Sequence, residues 1–333
     1  MKPSDLTACL PDLINAQRPV FIWGPPGIGK SKIVKQIAAS LGRGLTDVRT
    51  VLLDPVDLRG LPRVNAEGRA EWCPPSFLPS DPKSRDVIFL DELPQAPQMT
   101  QAACLQLVLD RRIGEYVMPA GCIVIAAGNR QQDRAGANRM ITPLLNRFVH
   151  LDLELSNDDW QAWALGAGID QRIRSFLAWK PNALFHFDPA SSDRSFPTPR
   201  SWEFVSDVLG HMKDLVHDVI SGCVGGGAAG EFMAFCQLYG QLPDPAKILA
   251  RPRDHEVPGE PSVLYALCGS LLDHLRKDPK AADAYAVYAG RMPQEFGVLA
   301  MRDAPSVVPG ILNTPAGSAW LRANRDALLG TRT

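Results

Sequence analysis

The segment GPPGIGKS at residues 24–31 decides how the rest of this 333-residue chain is interpreted. It fits the pattern G-x-x-x-x-G-K-[ST] without a mismatch. In that pattern the glycines let successive N–H groups converge on phosphate oxygens, the lysine contacts the β- and γ-phosphates, and the serine hydroxyl ligates Mg²⁺. The sequence therefore predicts a nucleotide site made of Gly24, Pro25, Pro26, Gly27, Ile28, Gly29, Lys30 and Ser31.

The residues on both sides of this loop support the same interpretation. Residues 19–23 (PVFIW) form a short apolar run that predicts a buried strand, and apolar residues at helical spacing follow the loop. A strand, a glycine-rich loop and a helix N-terminus together make an anion site, because the first turn of a helix has free N–H groups. A chance match in a surface turn would not explain these flanks.

A second apolar run, VIFL at residues 87–90, ends in the carboxylates Asp91 and Glu92. Such a run predicts a buried parallel strand that delivers two acids at its carboxyl end. In ATP-hydrolysing sites one acid holds the Mg²⁺ shell, and a second acid can orient and deprotonate the attacking water. An apolar run ending in Asp-Glu occurs in many strands, so this prediction depends on the phosphate loop that precedes it.

Three more polar side chains are candidates for the same site. The apolar run at residues 122–127 predicts another buried strand, which closes on residues 128–130. Asn129 at its tip is expected to reach a γ-phosphate or a water, although a simple turn-forming Asn is an equal alternative. Arg147 stands between a short predicted helix and a strand, where a solvated charge is the alternative. Arg200 is in the first turn of a helix that opens at Thr198-Pro199, where a cation opposes the helix dipole unless an anion binds there.

The order of these patterns predicts an α/β protein with a doubly wound parallel sheet over residues 1–153. The run at residues 48–53 predicts the second strand, and a polar, proline-rich insertion at about 54–79 predicts a hairpin, with a surface loop as the alternative. Only helical patterns follow. We expect a helical lid domain over 154–242 and a C-terminal helical extension over 243–333 that begins with a proline-rich linker. The expected helices include about 204–222, 230–240, 262–276, 281–290 and 316–329.

Composition narrows the class of protein. Thirty-five basic and 36 acidic residues give a net charge of −1, which argues against a dedicated nucleic-acid binder. No apolar run is long enough to span a bilayer and the start resembles no signal peptide, so a cytoplasmic protein without membrane attachment is expected. Seven cysteines without a C-x-x-C pair and six histidines without H-E-x-x-H predict no metal other than Mg²⁺.

The ordered set of loop, acid pair, Asn129, Arg147 and Arg200 resembles the AAA+ ATPases, and most of all their MoxR branch. The resemblance covers roughly residues 18–210 and includes the insertion at 54–79, which is similar to a hairpin that MoxR members carry. It implies that Lys30 and Ser31 belong to Walker A, and that Asp91, as a metal ligand, and Glu92, as the base, form Walker B. Asn129 resembles sensor 1 and Arg200 resembles sensor 2 on the lid. Arg147 resembles the arginine finger that reaches a neighbouring subunit, with Arg134 and Arg139 as competitors.

The same resemblance implies a function. It is Mg²⁺-dependent ATP hydrolysis by a homo-hexameric ring that acts as a chaperone-like remodeller, with a partner protein that bears a von Willebrand factor A domain. One alternative is a nucleic-acid-dependent AAA+ motor or loader, against which the charge balance argues. A nucleotide-dependent switch or scaffold with little turnover is the other alternative, and the Asp91-Glu92 pair argues against it.

Overall fold

The computed structural model describes residues 1–130, 133, 140–212 and 214–325. The chain divides into two compact units. The first unit contains residues 1–159 together with 188–191 and 198–200, and the second contains 160–187, 192–197 and the residues from 201 onward. The expected division into three domains at residues 153 and 242 stays a prediction.

A five-stranded parallel sheet forms the centre of the first unit, in the strand order β2-β5-β8-β1-β9. The strand β1 lies between β8 and β9. The crossover from β1 to β2 and the crossover from β8 to β9 therefore run in opposite directions across the sheet. At such a point the connections on either side leave a crevice at the carboxyl ends of the strands. The strands, including those of two short hairpins, are β1 (Val20–Trp23), β2 (Leu45–Arg49), β3 (Leu61–Val64), β4 (Ala70–Cys73), β5 (Val87–Asp91), β6 (Arg112–Ile113), β7 (Tyr116–Val117), β8 (Ile123–Gly128) and β9 (Val149–Asp152).

The three inner strands β1, β5 and β8 are buried on both faces, which explains why each is a continuous apolar run in the sequence. The helices around the sheet are α1 (Pro3–Asn15), α2 (Lys30–Ser40), α3 (Pro55–Arg59), α4 (Gln98–Asp110) and α5 (Thr142–Leu145). The fold class is therefore confirmed for this part of the chain: a P-loop type α/β unit with a doubly wound parallel sheet.

The second strand is not where the sequence predicts it. The chain forms β2 at Leu45–Arg49, and Thr50–Leu52 is a 3-10 turn. The prediction of a strand over residues 48–53 was wrong because it followed the apolar residues. Among the described strands β2 pairs only with β5, and as an edge strand it keeps polar residues, whereas Leu52 in the turn is 74% exposed.

The inserted segment forms the expected hairpin. Strands β3 and β4 pair antiparallel, with Val64 opposite Ala70, and residues 65–68 make the turn. The Asn65 side chain accepts hydrogen bonds from the N–H groups of Glu67 and Arg69, which closes the turn. The hairpin β6–β7, two residues on each side, was not predicted, because so short a pairing leaves no period-2 pattern.

The second unit is helical in all of its described elements. Its helices are α6 (Asn157–Gly166), α7 (Gln171–Trp179), α8 (Pro199–His211), α9 (His217–Val224), α10 (Gly226–Gly240), α11 (Pro245–Ala250), α12 (Pro261–Lys277), α13 (Ala282–Ala289), α14 (Gln294–Val307) and α15 (Pro315–Ala323); α6 and α8 begin in residues of the first unit. One of its two apolar cores is built on the aromatic rings of Phe176, Trp202, Phe232 and Phe235. The other surrounds α12 and contains Tyr285, Phe296 and Trp320.

The prediction for the helical region differs from the structure in three places. The helix expected at about 204–222 is two helices, α8 and α9. The linker expected at 243–261 contains α11, and α14 was not expected at all. Gly297 and Pro305 weaken the helical pattern of α14, yet its Phe296, Ala300 and Met301 are buried, so tertiary packing overrides local propensity. Among the described residues no helix is both long and apolar enough to cross a membrane.

Candidate active site

The predicted phosphate loop connects β1 to α2. The N–H of Gly24 donates to the carbonyl of Gly128 on β8 at 3.2 Å, and α2 begins at Lys30. Gly27 and Gly29 have φ angles of 78° and 97°, a region that side chains disfavour. A Cβ on Gly27 would also lie 2.8 Å from the Cβ of Thr198, so only glycine fits this position.

Lys30 is a buried cation at the centre of the loop, with a side chain only 8% exposed. Its ammonium group donates to the carbonyl oxygens of Gly24 at 2.8 Å and Pro25 at 3.0 Å, and to Oδ1 of Asn129 at 2.9 Å. All three acceptors are neutral. Burial lowers the pKa of Lys30 to about 8, and the more distant carboxylates of Asp91 and Asp133 raise it only in part.

Asp91 ends β5 and is held from three directions. Its Oδ2 accepts a hydrogen bond from Ser31 Oγ at 2.8 Å, and its Oδ1 accepts one from the N–H of Glu92 at 3.0 Å. Its backbone carbonyl accepts from Thr50 Oγ1 at 2.8 Å, and Thr50 is fully buried just beyond β2. The hydroxyl of the loop and the carboxylate of the strand therefore meet directly.

Glu92 follows Asp91 and has a φ of 58°, in the left-handed region. For a residue other than glycine this conformation costs about 1–2 kcal/mol. Strain of this kind persists only where the surrounding structure holds the residue, and such residues concentrate in functional sites. The side chain is half-buried beside the acid of β5.

Arg200 lies close to the loop through its backbone, since its N–H donates to the carbonyl of Gly27 at 3.3 Å. Its side chain is exposed, and its charge and that of Arg130 both lower the pKa of Lys30. Arg130 itself forms an ion pair with Asp133, with an N–O distance of 3.3 Å. Two further cations thus stand near a lysine that is already destabilised as an ammonium ion.

Arg147 does not join this cluster. It is exposed in the turn between α5 and β9, and within the described residues its side chain forms no hydrogen bond or ion pair with the residues of the loop. The competing candidates Arg134 and Arg139 lie outside the described residues.

Sequence reasoning missed three residues of this region: Thr50, Asp133 and Thr198. Thr50 was predicted to belong to the strand over residues 48–53, which the chain does not form. The correct strand register, with Arg49 opposite Asp91, would have indicated that Thr50 lies next to the end of β5. Asp133 lies three residues beyond Arg130, and no local pattern predicts its effect on Lys30. Thr198 was noted as a helix start, but its close approach to Gly27 follows only from the tertiary structure.

Comparison with known proteins finds a match over the region that contains the phosphate loop and the acid pair. Residues 19–148 match the family model of the AAA domain (dynein-related subfamily). Midasin from Giardia intestinalis is 31% identical over an alignment of 160 residues, and the match covers 44% of this chain and 3% of midasin. The chain thus spans only a small fraction of that curated relative.

Solved structures also resemble this chain, at lower sequence identity. NtrX from Brucella abortus is 14% identical with a TM-score of 0.42, covering 91% of this chain and 67% of that chain. A mutant of RuvB from Thermotoga maritima is 19% identical with a TM-score of 0.39, covering 80% of each chain. Because both TM-scores are below 0.5, the fold is defined by the strand order and the loop of this chain and not by these neighbours.

The matched family, the strand order and the phosphate loop together define the class of this part of the chain: it is an AAA domain with the P-loop fold of nucleotide-binding, ATP-hydrolysing enzymes. The AAA domain occupies residues 19–148. AAA+ proteins are generally oligomeric.

Proposed function

We propose that this chain uses Mg²⁺-dependent ATP hydrolysis to remodel a partner protein, as a ring-shaped, MoxR-like, chaperone-type AAA+ ATPase. The observation that carries the nucleotide chemistry is the burial of Lys30 against neutral acceptors beside the Ser31–Asp91 hydrogen bond. A buried cation without a direct counter-ion among the described residues is poised to bind an anion, and the loop supplies N–H groups for its phosphates.

Ser31 and Asp91 fit a magnesium site. A hydroxyl and a carboxylate in direct contact are hard oxygen ligands, and Mg²⁺ in nucleotide sites takes one or two such protein ligands together with phosphate oxygens and waters. When bound there, the ion would neutralise charge on the phosphates. Thr50 holds the end of β5 in place by its hydrogen bond to the carbonyl of Asp91.

The other site residues have separate roles in this proposal. Glu92 is the general base that takes the proton of the attacking water. Asn129, which accepts a hydrogen bond from Lys30, would act as sensor 1 on the γ-phosphate, and Arg200, whose N–H donates to the carbonyl of Gly27, would act as sensor 2. Arg147 acts in trans: it stabilises the transferred phosphoryl group in the site of the adjacent subunit. Among the described residues its side chain forms no hydrogen bond or ion pair with the loop of its own subunit.

The assembly and partner complete the proposal. A finger in trans requires adjacent copies of the chain, and a homo-hexameric ring provides a neighbour for every site. The hairpin β3–β4 in the inserted segment supports assignment to the MoxR branch, whose resemblance also suggests a partner with a von Willebrand factor A domain. The cytoplasmic location stays a prediction.

The decisive experiment is a Glu92→Gln substrate trap. We expect this variant to bind ATP but to hydrolyse it about 10²-fold more slowly or worse, because only the base is removed. With ATP it should retain its protein substrate for identification by mass spectrometry after pull-down. Lys30→Ala is the matched control and should retain no substrate.

Two results would contradict this proposal. Near-normal turnover by Glu92→Gln would remove Glu92 from the role of base. If instead DNA or RNA stimulated the ATPase with a steep dependence on salt, the substrate would be nucleic acid and the remodelling function would be wrong.

A further inference from the structure

The turn that carries Arg147 is tied down by a side chain from β9. The carbonyl of Leu145, the last residue of α5, accepts a hydrogen bond from the N–H of Phe148 at 3.3 Å and so closes a four-residue turn around Arg147. The same carbonyl lies 2.8 Å from Nε2 of His150. The position of the Arg147 backbone thus depends on an imidazole three residues further along the chain.

The second ring nitrogen of His150 is also occupied. Nε1 of Trp23 donates to Nδ1 of His150 at 2.8 Å. An indole N–H can only donate, so Nδ1 must accept, and the ring hydrogen is on Nε2, where it donates to the carbonyl of Leu145. The two contacts therefore require one tautomer of a neutral imidazole and hold the ring at both ends.

Trp23 connects this arrangement to the nucleotide loop, because it is the last residue of β1 and directly precedes Gly24. Its ring stacks on Phe21 with centroids 4.0 Å apart and lies nearly parallel to the ring of His150 at 6.0 Å. In the sheet register Phe21 stands opposite His150. A short set of contacts, Trp23 to His150 to Leu145, thus joins the base of the phosphate loop to the turn of Arg147.

We propose that His150 is a positioning residue for Arg147, and that Trp23 sets the tautomer and ring orientation this role requires. The proposal rests on the trans role of Arg147 proposed above. Because Arg147 is exposed on a turn, its reach into an adjacent subunit depends on how that turn is held. A misplacement of about 1 Å in a catalytic group can lower a rate by about 10²-fold. The phosphate loop and Arg147 of one subunit are then connected through the contacts of Trp23, His150 and Leu145.

His150→Ala in the intact chain tests this link. We expect kcat for ATP hydrolysis to fall by about 10-fold or more while KM for ATP changes less than about twofold, because an arginine finger acts on the transition state. When these subunits are mixed with Glu92→Gln subunits, activity should recover. In the mixed ring an intact site of the His150→Ala subunit meets an intact finger from its neighbour.

Arg147→Ala, mixed with Glu92→Gln in the same way, separates the two proposals. If neither Arg147→Ala nor His150→Ala is rescued, the trans finger itself is wrong. If Arg147→Ala is rescued and His150→Ala is not, the trans finger stands and the positioning role of His150 is overturned, because the defect then lies in the variant's own site.

Two conservative variants guard against a loss of structure. His150→Gln keeps an N–H donor near the position of Nε2 and should recover most of the activity. Trp23→Phe keeps the stacked ring but removes the donor, so an intermediate loss of kcat is expected. Thermal unfolding should change little for the two His150 variants, since His150 is exposed. Equal activity of His150→Ala and the unsubstituted protein would also overturn the proposal.

Discussion

Lys30 in the first unit and Arg174 in the second are both buried cations, and their hydrogen-bond partners are of opposite kinds. Lys30 in the first unit donates to two backbone carbonyls and an amide oxygen, all of them neutral. Arg174 in the second unit is 3% exposed and forms an ion pair with the carboxylate of Asp303 at 3.0 Å, with Gln171 as a further acceptor at 2.8 Å.

For these two residues the difference is one between a lysine of the phosphate loop and an arginine of a structural ion pair. A buried charge is costly unless it is paired, so the arginine of the second unit has its counter-ion within the fold. The lysine has none in direct contact among the described residues, and burial lowers its pKa to about 8. The missing negative charge is what a nucleotide supplies, which is why the chain tolerates the cost at this position.

The largest expected effect is that of Lys30→Ala on ATP binding. Removing a charged donor from a buried site costs about 2–5 kcal/mol, so we expect affinity to fall by about 30-fold or more. Titration with a fluorescent ATP analogue measures it. Lys30→Met, which keeps the apolar stem, should fail equally, and unchanged affinity in either variant would contradict the loop assignment.

Arg174→Ala should act on stability and leave the affinity for ATP alone. Breaking one partner of a buried pair costs about 3–5 kcal/mol, and the lower end applies because the Asp303 side chain is 20% exposed and also meets Arg302. Chemical denaturation measures the change in the free energy of unfolding.

A double variant sharpens this second prediction. Arg174→Met with Asp303→Leu removes both charges, so it should be less destabilised than Arg174→Ala. If the single variant lost ATP affinity without losing stability, the contrast between the two cations would be wrong.

The smallest effect is a pH dependence of ATP binding. Since the pKa of Lys30 is lowered to about 8, the lysine is charged below that pH and contributes no pH dependence there. As pH rises above 8 the free protein loses this proton, which binding must restore, so affinity should fall by up to about tenfold per pH unit. Calorimetry between about pH 7 and 9.5 measures it.

Lys30→Arg is the control for this pH effect, because arginine stays charged throughout the range. Its affinity, whatever its size, should vary less with pH than that of the unsubstituted protein. An affinity that stayed constant up to about pH 9.5 in the unsubstituted protein would show that Lys30 keeps its proton and would contradict this prediction.

A strand or helix could be predicted from the sequence where adjacent residues alone determine it. The inner strands were predicted well because burial on both faces makes them continuous apolar runs. The edge strand β2 and the helix α14 were not, since their sequences suit other structures and only pairing or packing selects the observed one. The roles proposed for the site residues stay predictions.

The sequence by itself determined the class of chemistry, because GPPGIGKS and the run ending in Asp91-Glu92 are patterns of adjacent residues whose conformation is set locally. Only the tertiary structure decided which groups meet. Asn129 reaches Lys30 across 99 positions, Ser31 reaches Asp91 across 60, and Trp23 reaches His150 across 127. Parallel strands joined by crossovers bring distant residues to one sheet edge, and no local pattern encodes those distances.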